Sequence, residues 1–61
     1  HQEAKQQLSS YLRNNIQPLM QTGKPLDLND ILHRVTIRKP KLVQQLGKQQ
    51  VQHMAQLLLD Q

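Results

Sequence analysis

The chain predicts an all-α fold, a small bundle of four helices, and three observations carry that expectation. Apolar residues recur at steps of three and four along nearly the whole length, which is the helical period. The rhythm breaks at three places only: residues 21–25, residues 36–39 and Gly47. Phe and Trp are absent and Tyr11 is the only aromatic residue, so the core must be Leu, Ile, Val and Met. Such a core suits helices better than a sheet, where aromatic and β-branched residues are favoured.

The first helix is expected over residues 3–20, with Ala4, Leu8, Tyr11, Leu12, Ile16, Leu19 and Met20 on its apolar side. No residue near its start makes a clear cap, so that end should fray. Pro18 predicts either an end or a kink near Ile16, because the residue before a proline avoids the helical region. Residues 21–25 form a turn, with Gly23 as the C-terminal cap. The second helix begins near Asp27, which can cap the free amides of the first turn, and Asp30 suits the helix dipole. Its buried face is Leu28, Ile31, Leu32 and Val35. Pro40 fits the first turn of a third, short helix over residues 40–46, which stops at Gly47. The fourth covers residues 48–60, with Val51, Met54, Ala55, Leu58 and Leu59 on one face and Leu57 at its edge. Leu12, Ile16, Leu28, Ile31, Leu42, Val51, Met54 and Leu58 are the expected core.

Sixty-one residues make one domain, residues 1–61. A chain this short buries only about 60% of its unfolded surface. With no cysteine, neither a disulfide nor a thiolate metal site can staple it. Stability must come from a few packed helices or from a partner. No apolar run approaches the roughly 20 residues of a membrane span, and no signal-peptide pattern is visible, so no membrane partner is expected. The lack of cysteine fits an intracellular protein, in the nucleus or a bacterial cytoplasm.

Catalysis has no support. The sequence holds no Gly-rich phosphate loop, no GxSxG, no HExxH and no cysteine nucleophile. Asp27 and Asp30, three apart at a helix start, are explained by capping. His1, His33 and His53 are too widely separated to pair as metal ligands. The expectation is therefore no enzyme, no metal and no cofactor.

The formal net charge of +4 and the isoelectric point near 10.0 favour polyanionic partners. The charge is concentrated. Arg34, Arg38, Lys39 and Lys41 fall within eight residues and Lys48 follows, all around the junction of the second and third helices. Phosphate at the start of the third helix would meet side-chain cations together with free backbone amides. Glutamine is the compositional oddity, at twelve residues, scattered through periodic segments. As a good, uncharged helix former it supplies solvated surface. Gln44 and Gln45 differ in lying on the basic third helix, where Gln can reach adenine edges in a major groove.

Residues 26–46, LDLNDILHRVTIRKPKLVQQL, resemble the helix-turn-helix family of transcription regulators, so the bundle gains a helix-turn-helix-like centre. The resemblance implies a supporting helix over residues 27–35 and a turn containing Thr36 and Ile37. Arg38, Lys39, Lys41, Gln44 and Gln45 would lie on or beside the recognition helix. Ile37 and Leu42 match the family's apolar positions. Leu32 stands where the family has a small residue, and Thr36 where it has Gly. Residues 24–59 are also similar to wingless winged-helix domains of the transcription machinery, some of which bind an acidic amphipathic helix in a groove.

Two functions follow as expectations. The first is a DNA-binding module in transcription or its regulation. In it Arg34, Arg38, Lys39, Lys41 and Lys48 hold the phosphates of duplex DNA, and Gln44 and Gln45 reach base edges. The alternative is a protein-interaction module that receives an acidic, amphipathic partner helix. Homodimerisation is possible under either, given the small size and the leucine-rich last helix.

Overall fold

A computed structural model describes residues 2–61, and they form an all-α bundle in which four helical rods enclose one aliphatic core. The first rod is continuous but composite: α1 (Gln2–Tyr11), a π-helical turn (Leu12–Ile16) and α2 (Gln17–Gln21). At 1.5 Å per residue such a rod is about 30 Å long, which accounts for the molecule's longest dimension of 32 Å. The other three rods are α3 (Leu28–Arg38), α4 (Pro40–Leu46) and α5 (Lys48–Leu59). α4 packs on α1, while α5 packs on both α3 and α4.

The π turn is how the first rod accommodates Pro18. A proline has no N–H, and its ring collides with the carbonyl four residues back, here that of Asn14. Widening the preceding turn relieves that collision. The Gln17 N–H accordingly reaches the Leu12 carbonyl, five residues back. Of the two expected outcomes the rod does not end near Ile16, and the disturbance expected there takes the form of the π-helical turn. The same widening serves the core. Ala4, Leu8, Leu12 and Ile16 are spaced by fours and all are buried. In an α-helix of 3.6 residues per turn that spacing drifts about 40° per step. A wider turn between Leu12 and Ile16 opposes the drift and keeps both side chains facing inward.

The loop from α2 to α3 is closed at both ends by sequence-specific contacts. Gly23, at φ +84°, takes the left-handed conformation, its N–H bonded to the Met20 carbonyl. The Thr22 hydroxyl donates to the Leu19 carbonyl at 2.7 Å. Asp27 caps α3, as the sequence predicts, but Asp30 does more than complement the dipole. The Asp30 N–H donates to Asp27 Oδ1 at 2.9 Å, and the Asp27 N–H donates to Asp30 Oδ2 at 3.1 Å. This is a reciprocal capping box with Asp in the place usually held by Glu or Gln.

α3, α4 and α5 follow one another with a single non-helical residue at each joint, Lys39 and then Gly47. Both joint residues stay in the backbone ladder. Lys39 donates to the Val35 carbonyl and accepts from Val43, while Gly47 donates to Val43 and accepts from Val51. The chain bends twice while hydrogen bonds run on in steps of four.

The central turn differs from the helix-turn-helix expectation. Thr36 and Ile37 lie in the last turn of α3, and one residue joins α3 to α4 where the motif uses three or four. The Thr36 hydroxyl donates to the Leu32 carbonyl, four residues back, at 2.7 Å, so its polar group is satisfied inside the helix. Continued helicity turns Ile37 about 200° away from Val35. It is 60% exposed instead of packed.

The core comprises Ala4, Leu8, Leu12, Ile16, Ile31, Val35, Leu42, Val51, Ala55 and Leu58. Six of the eight expected positions are among them. Leu28 and Met54 are only partly buried and pack at the rim. Leu28 is the first residue of α3 and Met54 borders an open groove, so neither is enclosed on all sides.

Candidate functional site

The α3–α4 joint gathers the basic residues around two open grooves that share Arg38. Its position as the last residue of α3 puts Arg38 between them. The first groove runs between α1 and the joint. Arg38, Lys39, Lys41 and Gln45 line one side, and Glu3 and Gln7 line the other. The second lies between α3 and the α2–α3 loop, where Arg34, His33 and Arg38 face Lys24, with Pro25, Leu26 and Ile37 as apolar lining.

Each cation is held differently. Arg34 is half-buried, its stem lying along the second groove, while Arg38, Lys39 and Lys41 are exposed. The Lys39 ammonium sits over the Tyr11 ring, 5.8 Å from its centroid, so this side chain is drawn toward the first rod. Lys41, Gln44 and Gln45 are all exposed on α4. Their spacing of three and four places them on one outward face. Lys48 is exposed too, but it opens α5 beyond the Gly47 joint and lines neither groove, and Gln44 also lies outside them. The structure thus brings Arg34, Arg38, Lys39, Lys41 and Gln45 together, and leaves Gln44 and Lys48 on adjoining surface.

Backbone amides contribute less here than the sequence suggests. Pro40 has no N–H, the Lys39 N–H is taken by Val35, and the Val43 N–H is taken by Lys39. Side-chain cations are the chief attraction for an anion at this place. Two carboxylates lie nearby. Glu3 borders the first groove, and Asp30 borders the second with one oxygen engaged by the Asp27 amide.

No family model matches this chain, and neither do curated proteins or solved structures. The site therefore stands on its own residues.

Lys24, Glu3 and Gln7 are site residues that sequence reasoning did not single out. Lys24 reaches the second groove because the loop folds back over α3, which no local spacing announces. Among the described residues no three of His, Asp and Glu gather as a possible metal site, and His1 lies outside those residues. No helix among them is long and apolar enough to cross a membrane.

Proposed function

We propose that the protein is a non-catalytic nucleic-acid-binding module whose ligand is duplex DNA. The observation that carries this reading is the convergence of Arg38, Lys39 and Lys41 on one open groove, with Arg34 and Lys24 extending the positive surface along the next. Phosphates attract cations at such spacing without regard to sequence. The outward face of α4 adds Gln44 and Gln45, whose amides can pair with adenine edges. Lys48 extends the same surface. A duplex is favoured over a single strand because single-strand recognition relies on stacking bases against aromatic rings. Tyr11 is the only aromatic residue, and its ring is already approached by Lys39. A role in transcription or its regulation follows from this reading, with a location in the nucleus or a bacterial cytoplasm.

The test is a fluorescence-anisotropy titration of generic duplex DNA at several salt concentrations. Each phosphate contact adds about 0.9 to the magnitude of the slope of log K against log salt, so the cations named here set its upper bound at about 5. Absence of binding at low salt, or a slope near zero, refutes the proposal.

One observation favours a second reading, an acidic amphipathic helix as partner. Ile37 is 60% exposed and stands in the second groove amid Lys24, Arg34 and Arg38. An apolar anchor ringed by cations suits a helix with one apolar face and an acidic flank. Chemical-shift changes at Ile37 on adding such a peptide, without detectable DNA binding, select this reading over the first.

A further inference from the structure

We propose that the face formed by α5 and the middle of the first rod binds a second copy of this chain. Leu57 and Ile37 are the exposed large apolar side chains among the described residues, and their surroundings differ. Leu57 is 53% exposed on the wall of a groove shared with partly buried Met54. Leu12 and Leu58 form its apolar floor, and Ser9, Arg13 and Gln17 of the first rod form its far wall.

Charge decides the occupant. Between Lys48 and Asp60, α5 carries no Asp, Glu, Lys or Arg. Arg13 is the only ion lining the groove, and exposed Asp60, whose Oδ1 accepts from Gln56 Nε2 at 3.0 Å, stands in the chain between two lining residues, Leu58 and Gln61. A chain of net charge +4 repels its own copy most strongly where its cations gather, at the α3–α4 joint. The α5 face is where two copies approach without that penalty. An acidic partner, by contrast, finds only Arg13 here and three cations around Ile37.

The chemistry of the rim is self-complementary. A glutamine amide both donates and accepts, so a glutamine surface can pair with itself. Gln17 and Gln61 already do so across this groove, Nε2 to Oε1 at 3.3 Å. In a two-fold contact the same patch serves both partners. Leu57 then lies near the axis against its copy and Met54, and Arg13 of each chain meets Asp60 of the other. A standard interface takes roughly 800 Å² from each partner, less than a fifth of this chain's 4520 Å² of accessible surface. The inference does not depend on the nucleic-acid reading.

Sedimentation equilibrium of the chain without nucleic acid tests it. The expected result is a mass that rises with concentration from 7.1 kDa toward twice that value. Leu57→Glu, an exposed position where the fold should survive, is expected to hold the mass at the monomer value with an unchanged circular-dichroism spectrum. Ile37→Glu is expected to leave self-association intact. As an independent variant, Arg13→Asp should weaken association and the further change Asp60→Arg should restore it. A wild-type chain that stays at 7.1 kDa throughout overturns the proposal, as does a Leu57→Glu chain that associates like wild type. An acidic peptide seated on Met54 and Leu57 of a monomeric chain overturns it as well.

Discussion

Lys39 is stacked over Tyr11, its ammonium 5.8 Å from the ring centroid, so the joint between α3 and α4 is tied to the first rod by a cation–π contact. The contact fixes a side chain that would otherwise be one more mobile surface lysine. It also divides the duties of neighbouring cations, because Lys39 has a partner within the fold.

Removing either partner is expected to cost about 0.5–1 kcal/mol of stability, the usual strength of such a contact near the surface. Lys39→Ala and Tyr11→Leu should therefore be non-additive. A double-mutant cycle from urea melts checks this, and a coupling energy indistinguishable from zero would show that the contact contributes nothing.

If DNA is the ligand, Lys41→Ala should weaken binding to all sequences alike and lower the magnitude of the salt slope by about one unit. Gln44→Ala should leave the salt slope unchanged and lose about 1–3 kcal/mol on a preferred sequence only. Titrations of both variants on matched and scrambled duplexes separate phosphate contact from base reading.

Ile31 is fully buried between the rods, so Ile31→Ala should cost about 2–5 kcal/mol. A domain of this size has little more than that to lose. Met54→Ala, at the open rim, should cost clearly less. Thermal melts that rank the two the other way would contradict the placement of the core.

Asp27→Ala removes the acceptor of the Asp30 N–H, while the backbone N–H of residue 27 can still donate to Asp30, and it is expected to cost about 1 kcal/mol. Amide hydrogen exchange should then accelerate in the first turn of α3 while α5 is little affected. Unchanged exchange at Asp30 and Ile31 would mean the box contributes nothing to holding that turn.

Gly47 has φ +89° and ψ 151°, a region essentially restricted to glycine. Nothing lies within 4 Å of where a Cβ would sit. Gly47→Ala should nevertheless cost about 1–3 kcal/mol, through backbone strain alone. An unaltered melting temperature would show that the joint can relax to another conformation.

Much of this architecture is legible in the sequence because local rules determine it. Pro40 and Gly47 bound α4, Asp27 starts α3, and the apolar period places Ile31, Leu42, Val51 and Leu58 inside. What escapes is what depends on distant parts of the chain. Pro18 signals a disturbance, but whether the rod breaks or widens depends on Leu12 and Ile16 both having to face the same core. Thr36 and Ile37 read as a turn from their weak helix propensity, yet the ladder through Lys39 carries the helix past them. The basic cluster is visible in composition. Its division into two grooves, the arrival of Lys24 and the pairing of Lys39 with Tyr11 are tertiary, and no period encodes them.

The single-residue joints at Lys39 and Gly47 bear on how this chain can change length. From Leu28 to Leu59 there is no slack: an inserted residue at either joint would rotate everything beyond it and lift α4 or α5 off its neighbours. The stretch from Gly23 to Leu26 is different, being loop outside any helix, with Leu26 packed against the core and residues 23–25 exposed. Lengthened versions of the protein, natural or built for fusion, should carry their extra residues there, which displaces Lys24 and leaves the run from Arg34 to Lys41 intact. The backbone positions of Arg34, Arg38, Lys39 and Lys41 are thus set by α3, the Lys39 joint and α4, and only their long side chains adjust to a ligand.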